Sequence, residues 1–535
     1  MAGGIAVHLA LRGLGLAWTW GLPLVALTPL VALVDAGAAV AVGVASITAV
    51  AMGIAWHRSD LERGGGEAQK ARDRIGLAAG LAGALMVHRA RAERVRGERV
   101  AIGETRQRRV ASVPFGSREG RRGLVVGSPG SGKTVTGAAI ATSYVDSGLP
   151  VFALDPKGDA SLRDALCEAA GARGAAFCEW SHEGPATYNP LARGDATEIA
   201  DKVLAGEDWS EPHYLRQAQR YLGWAVRVMQ AAGEPRSLER LVVYLDPERL
   251  EQLGERCDAD TQDRLTQYLD SLSARQRADL GGVRDRLAVL SESALGRYLD
   301  PAGAGEVIDL AEAWRQRAVI YFRLDADRYP LASQMLGAAV VSDLVSLTGE
   351  LQRDAAVGLV AIDEFAAVGA REILRILSRS RSAGISVLVA TQGLADLDES
   401  DGDGGGGMTR RVLSQVDFVI AHRQPEPEAA EQLSEMAGTR PSWTRTERLG
   451  TGSVSWGSRG EATRARTREF VRHPDEFKRL GCGEAIVIEP AGRRAAEAVR
   501  IWPRTGRGRA RTERRRSDSL RAGPRPASQR VERGL

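Results

Sequence analysis

LVVGSPGSGKTVTGAAIATSYVDSG, residues 124–148, decides the fold. Leu124, Val125 and Val126 make a short apolar strand, and TVTGAAIATSYVDSG has the length and composition of a helix ending at Gly148. Strand, glycine-rich loop and helix in that order form a phosphate cradle, in which backbone N–H groups turn inward and a helix N-terminus faces the anion. Gly127, Ser128, Pro129, Gly130, Ser131 and Gly132 build the cradle, Lys133 reaches the terminal phosphates, and the Thr134 hydroxyl ligates Mg²⁺.

The partner of this loop lies far downstream in AAVGLVAIDEFAAVG, residues 355–369. The run Val357–Ile362 reads as a buried strand, and Asp363 at its carboxyl end holds Mg²⁺ through water. Glu364 follows directly, and a carboxylate not consumed by the metal orients the attacking water, the mark of a hydrolysing motor. The chain has neither NKxD for guanine nor the SGGQ signature of ABC cassettes, so the expected cofactors are ATP and Mg²⁺.

Other polar groups fall at strand ends. Val151–Leu154 is a second parallel strand ending in DPKGD (155–159), whose charges face the same crevice as the glycine-rich loop. YNPLARG (188–194) follows. ILRILSRSRSAGISVLVATQGLADL (373–397) gives a helix, a strand over Ile385–Ala390 and Gln392 just beyond it, and DFVIAHRQ adds a strand ending near Arg423. Residues 196–301 are rich in Leu, Ala, Arg and Glu with helical periodicity. Ser442–Ala465, polar and glycine-rich, reads as a flexible loop before a final strand, Glu484–Ile488.

A length of 535 residues allows two to four folded units. Cys167, Cys178, Cys257 and Cys482 are scattered, with no CxxC pair, against both zinc and a disulfide framework. The net charge of +4 hides an asymmetry: Pro503–Leu535 carries eleven arginines against Glu513, Asp518 and Glu532, and has too few large apolar residues to fold. At the other end, Leu14–Val34 and Gly37–Trp56 are apolar runs of about 20 residues, each long enough to cross a bilayer. Trp18, Trp20 and Trp56 suit one interface, and Arg12, Arg58, Arg63, Lys70 and Arg72 put both ends of this hairpin in the cytoplasm. The expectation is a multi-pass protein of two helices in the cytoplasmic membrane, with both termini and the body cytoplasmic. Ile75–Val87, thirteen apolar residues, is too short to span.

In order, GSPGSGKT, Asp155–Gly158, Asn189–Leu191, Asp363–Gly369 and the Arg381–Gln392 block resemble the type IV coupling proteins of conjugation and secretion, the TraG/TraD-like branch of the FtsK/HerA motor group. The resemblance covers about residues 10–500. It implies an α/β fold: a RecA-like P-loop domain with an inserted all-α domain behind a two-helix transmembrane hairpin. The units are then the hairpin (1–57), a basic juxtamembrane linker (58–122), the nucleotide-binding domain (123–195 and 303–502), the helical insert (196–302) and a disordered tail (503–535). By the same resemblance Arg381, with Arg379 its competitor, is the arginine that a neighbouring subunit offers to the γ-phosphate, and Gln392 is the sensor glutamine. The implied activity is ATP hydrolysis coupled to translocation of single-stranded DNA, with its relaxase, into a type IV secretion channel by a homo-hexamer. The alternatives are an FtsK-like double-stranded DNA pump and a non-motor receptor in which ATP binding only drives assembly.

Overall fold

A computed structural model describes residues 77–504 apart from 117–118, 206–208, 210, 301, 303–304, 352–356, 369, 400–406, 448–461 and 493. The apolar hairpin expected over 14–56 and almost all of the arginine-rich tail lie outside the described residues.

Helix α1 (Leu77–Ala92), which takes up most of the Ile75–Val87 stretch, leads to strands β1 (Val95–Arg96), β2 (Arg99–Thr105) and β3 (Val110–Pro114). Then come β4 (Arg122–Val126), α2 (Lys133–Asp146), β5 (Val151–Asp155), α3 (Ala160–Arg173) and β6 (Phe177–Trp180). Six helices follow among the described residues: α4 (Ala196–Val203), α5 (Pro212–Ala231), α6 (Leu238–Val243), α7 (Pro247–Gly254), α8 (Ala259–Asp270) and α9 (Ala274–Ser291). Local chemistry starts several of them. Asp195 with Glu198 and Ser273 with Gln276 form capping boxes on α4 and α9, and Pro212 opens α5 where its missing N–H costs nothing. The chain returns through α10 (Leu310–Arg315), β7 (Val319–Arg323), α11 (Pro330–Leu351), β8 (Gly358–Ile362), α12 (Ala370–Arg379) and β9 (Ile385–Thr391). It ends with α13 (Ala395–Glu399), α14 (Gly407–Gln415), β10 (Phe418–Ala421), α15 (Pro427–Ala437), the pair β11 (Thr439–Glu447) and β12 (Ala462–Phe470), α16 (Pro474–Lys478), β13 (Glu484–Ile488) and β14 (Glu497–Ile501).

One mixed sheet organises this, in the order β1-β2-β14-β13-β10-β4-β9-β8-β5-β7-β6, with β3 on β2. From β10 to β6 every neighbour pair is parallel. The strands β5, β8 and β9 are buried along their whole length, as parallel strands covered on both faces must be. The mixed α/β architecture with a parallel sheet expected from sequence is therefore observed. Alternate residues feed two cores: Leu124 and Val126 join one with Phe152, Leu154 and the helices of the 196–291 region, whereas Val125 and Val151 join the other with α2 and α3.

Two sequence expectations are corrected. Residues 95–114 are not linker: Val100, Ile102, Ala111 and Val113 alternate inward, and β2 pairs β14, extending the main sheet. Arginine density concealed that alternation. Nor is Ser442–Ala465 wholly loop, because Ser442–Glu447 and Ala462–Ala465 pair as part of a nine-row antiparallel hairpin. Glu484–Ile488 is likewise not the last strand, since β14 follows and pairs it.

Among the described residues α11 alone is long and apolar enough to cross a membrane, yet 78% of its most apolar window is buried inside the fold. It is a core helix, and it carries Asp343, completely buried, against Lys202 of α4 and the hydroxyl of Tyr188. Lys202 Nζ also donates to the carbonyls of Pro190 (2.9 Å) and Arg193 (2.8 Å), and Asn189 Nδ2 donates to Arg236 O at 2.7 Å. The NPL turn is thus the splice that ties the helical region to the sheet domain.

Candidate nucleotide and metal site

At the carboxyl edge of the sheet, β9 lies between β4 and β8. Val126 pairs with Thr391, and Ile362 with Val389, so Gln392 stands between the glycine-rich loop on one side and Asp363 on the other. Gly127 N donates to Thr391 O (3.3 Å), and the Gln424 side chain donates to Gln392 O (3.2 Å), fixing that backbone.

The loop turns through Gly130 (φ 70°) and Gly132 (φ 113°), a conformation that L side chains rarely adopt. At Gly127 a Cβ would sit 2.5 Å from the Cβ of His422, so the loop needs glycine there for space. His422 is buried below it. Its Nδ1 donates to the Glu484 carbonyl (3.0 Å), which leaves Nε2 to accept from Thr136 Oγ1 (2.9 Å) at the start of α2. Burial pushes this imidazole down to about 4, so it is neutral at physiological pH. Two more contacts brace the loop: Ser128 N donates to Arg423 O (2.9 Å) while Arg423 Nε donates to Ser128 Oγ (3.3 Å), and Gly483 N donates to Ser131 O (2.9 Å).

Lys133 Nζ donates to Gly127 O at 2.5 Å. Burial lowers its pKa, opposed by the charges of Glu364 and Asp363, so the ammonium and both carboxylates share one crevice. Asp363, at the end of β8, is pushed up to about 6, first by burial and then by the neighbouring Asp155. A partly buried carboxylate facing other carboxylates is a place for a cation. Among the described residues no three His, Cys, Asp or Glu side chains converge to cage a metal. Mg²⁺ held by the Thr134 hydroxyl, phosphates and waters needs no such cage, and the residues present fit it.

Glu364 has φ 43° and ψ 54°, a left-handed backbone that costs a non-glycine residue of order 1–3 kcal/mol. Its carboxylate accepts from Lys157 Nζ at 2.8 Å. Asp155, by contrast, is consumed locally: it accepts from the N–H groups of Lys157, Gly158 and Asp159 (2.7–2.9 Å) and from the Tyr321 hydroxyl (2.6 Å). DPKGD is a stapled loop that aims Lys157, and Asp159 caps α3.

Arg381 lies at the other edge. Its carbonyl accepts from Gly120 N (3.3 Å), before β4 begins, and its guanidinium meets Glu119 at 3.4 Å in an exposed pair. The length of β9 separates it from Gln392 by about 20 Å. Arg379, in the last turn of α12, is also exposed. Neither reaches the phosphate cradle of its own chain. Sequence reading missed Lys157 as a partner of Glu364, and His422 and Arg423 as braces of the loop. For the last two the available signal was their place at the end of a parallel strand, where charged groups face the crevice.

The family model described as "TraM recognition site of TraD and TraG" matches residues 358–481, and the model described as "Helicase HerA-like C-terminal" matches 102–172. No curated protein sequence matches the chain. Among solved structures, the fold is similar to the bacterial conjugative coupling protein TrwBdeltaN70, unbound, with a TM-score of 0.56 and 16% identity over 78% of this chain and 92% of that one. It is similar to plasmid coupling protein TrwB in complex with ADP and Mg²⁺, with a TM-score of 0.55 and 18% identity over 78% and 92%. It is also similar to VirB4 of Thermoanaerobacter pseudethanolicus, with a TM-score of 0.50 and 13% identity over 77% and 98%. At these identities the structural likeness is one of fold. Together with the TraD and TraG family model, it bears out the resemblance to coupling proteins read from the motifs.

Proposed function

We propose that this chain is a membrane-anchored ATPase that drives single-stranded DNA, with its relaxase, into a type IV secretion channel, working as a homo-hexamer with its body in the cytoplasm. The observation that carries the reading is the gathering of Lys133, Asp363 and Glu364 in one crevice, with Gln392 on the strand between loop and carboxylates. The fold it shares with TrwB, whose structures include one with ADP and Mg²⁺, supports ATP and Mg²⁺ as the cofactors here.

Lys133 exchanges its bond to Gly127 O for the terminal phosphates. Thr134, and Asp363 through water, would hold Mg²⁺, and the ion would supply positive charge against the charge developing on the phosphates. Glu364 orients and polarises the attacking water once it leaves Lys157, and Gln392 senses whether the γ-phosphate is present. Arg381, on the far edge, serves the crevice of the neighbouring subunit.

The test is ATP hydrolysis by the full chain in detergent or nanodiscs, with and without single-stranded DNA. DNA-stimulated turnover that Lys133→Ala and Glu364→Gln both abolish is expected. The Lys157–Glu364 bond, which occupies the hydrolytic carboxylate, favours one rival, the receptor whose ATP binding only drives assembly. Nucleotide-dependent oligomerisation with no turnover on any DNA decides for that rival.

A further inference from the structure

The hairpin β11–β12 forms a sheet of its own, off the main sheet. Its strands carry five arginines against two glutamates. Trp443 pairs with Arg466 and Pro441 with Arg468, so these four residues occupy one face in alternate rows. Trp443 is 66% exposed, and Arg466 and Arg468 are exposed beside it. Arg468 is steadied by Thr439, with Nε donating to its hydroxyl at 2.8 Å, and no carboxylate pairs with either arginine among the described residues. An indole left in water, flanked by guanidiniums without counter-charges, is a surface awaiting an anionic partner with flat apolar faces.

We propose that this face of the β11–β12 hairpin is a single-stranded nucleic-acid contact, in which Trp443 stacks on a base and Arg466 and Arg468 hold the adjoining phosphates. The proposal rests on the DNA-pump reading and gives it a surface. Duplex fits less well, because its base faces are hidden in the stack. Both ends of the hairpin run into the braces of the phosphate loop. Upstream, Arg423 bonds Ser128; downstream, Phe477 O accepts from Gln424 N, and Gly483 N bonds Ser131 O. Val471 N closes the hairpin base on Gly438 O at 2.8 Å. A strand held here is mechanically linked to the nucleotide crevice.

The experiment measures anisotropy of a labelled oligo(dT) on the full chain in detergent across a salt series, with a labelled duplex and a fluorescent ATP analogue as parallel probes. Trp443→Ala is expected to weaken oligo(dT) binding roughly 5- to 150-fold, with Trp443→Phe recovering most of it. Arg466→Ala is expected to lower the slope of log affinity against log salt by about 0.7. Binding of the ATP analogue stays unchanged in all three variants, which excludes a folding defect. Wild-type affinity for oligo(dT) in Trp443→Ala overturns the proposal while leaving the pump reading intact, and returns the face to a protein partner or a neighbouring subunit. Equal losses on duplex and single strand also overturn it. A wild-type chain that binds no DNA with or without nucleotide overturns the pump reading and the hairpin contact together.

Discussion

Lys157 of the stapled DPKGD loop and Glu364 beyond β8 meet at 2.8 Å across the mouth of the nucleotide crevice. The bond points the Glu364 carboxylate, the group proposed to orient water, at a lysine instead. Lys157 is 44% exposed and Glu364 12%, so the pair is partly screened and worth about 1 kcal/mol at most.

Lys157→Ala is therefore expected to raise DNA-independent ATP hydrolysis, by no more than about 5-fold, and to shrink the stimulation by DNA in proportion. Steady-state turnover with and without oligonucleotide reads this directly. A fall in basal turnover sinks the idea of a restraining bond.

Arg381 sits about 20 Å along β9 from the crevice of its own chain, so any contribution to hydrolysis must be made across a subunit boundary. Arg381→Ala is expected to cut turnover by roughly 10³-fold with nucleotide affinity unchanged. Mixing it with Lys133→Ala chains should restore part of the activity, because some interfaces then pair an intact loop with an intact arginine. Mixed assemblies as inactive as either parent refute the assignment.

His422 gives a pH signature. Its folded pKa lies below the unfolded value, so the unfolded chain binds the proton first as pH falls. The stability tied to neutral His422 is complete above about pH 6.5, is lost between there and about pH 4, and amounts to about 3 kcal/mol. In His422→Phe the dependence of melting temperature on pH should flatten across that window. Parallel curves for the two proteins would contradict the burial argument.

The ion pair between Lys202 and Asp343 is buried on both sides. Lys202→Met leaves Asp343 without its cation and is expected to destabilise the protein by about 3–5 kcal/mol. Lys202→Met with Asp343→Leu should recover most of that loss, as thermal denaturation will show. No recovery in the double variant would mean that the bonds from Lys202 to Pro190 O and Arg193 O matter more than the charge pair.

The glycine-rich loop and the DEF element were legible from sequence because each is a contiguous run whose chemistry is local. The parallel strands around them were legible for the same reason. What stayed hidden depends on distant pairing. β2 and β3 point apolar residues inward, but both are short and lie among Arg94, Arg96, Arg99, Arg106, Arg108 and Arg109, and β14, which pairs β2, comes 390 or more residues later. β11 and β12 have no apolar face at all, so only their mutual register reveals them. Lys157 falls in a strand-end run whose charges face the crevice, yet its partner Glu364 lies beyond a neighbouring strand and no spacing rule names it. NPL was read as a marker of family; in the structure it is a joint.

That joint limits how this molecule can change. The helices from 196 to 291 share one continuous hydrophobic core with the sheet, and the seam is pinned by Tyr188, Asn189, Lys202 and Asp343. The helical region therefore cannot be excised as a cassette without opening the core of the sheet domain itself. Substitutions on its outward surface leave that shared core untouched, whereas a change on its inward face is felt by the sheet as well.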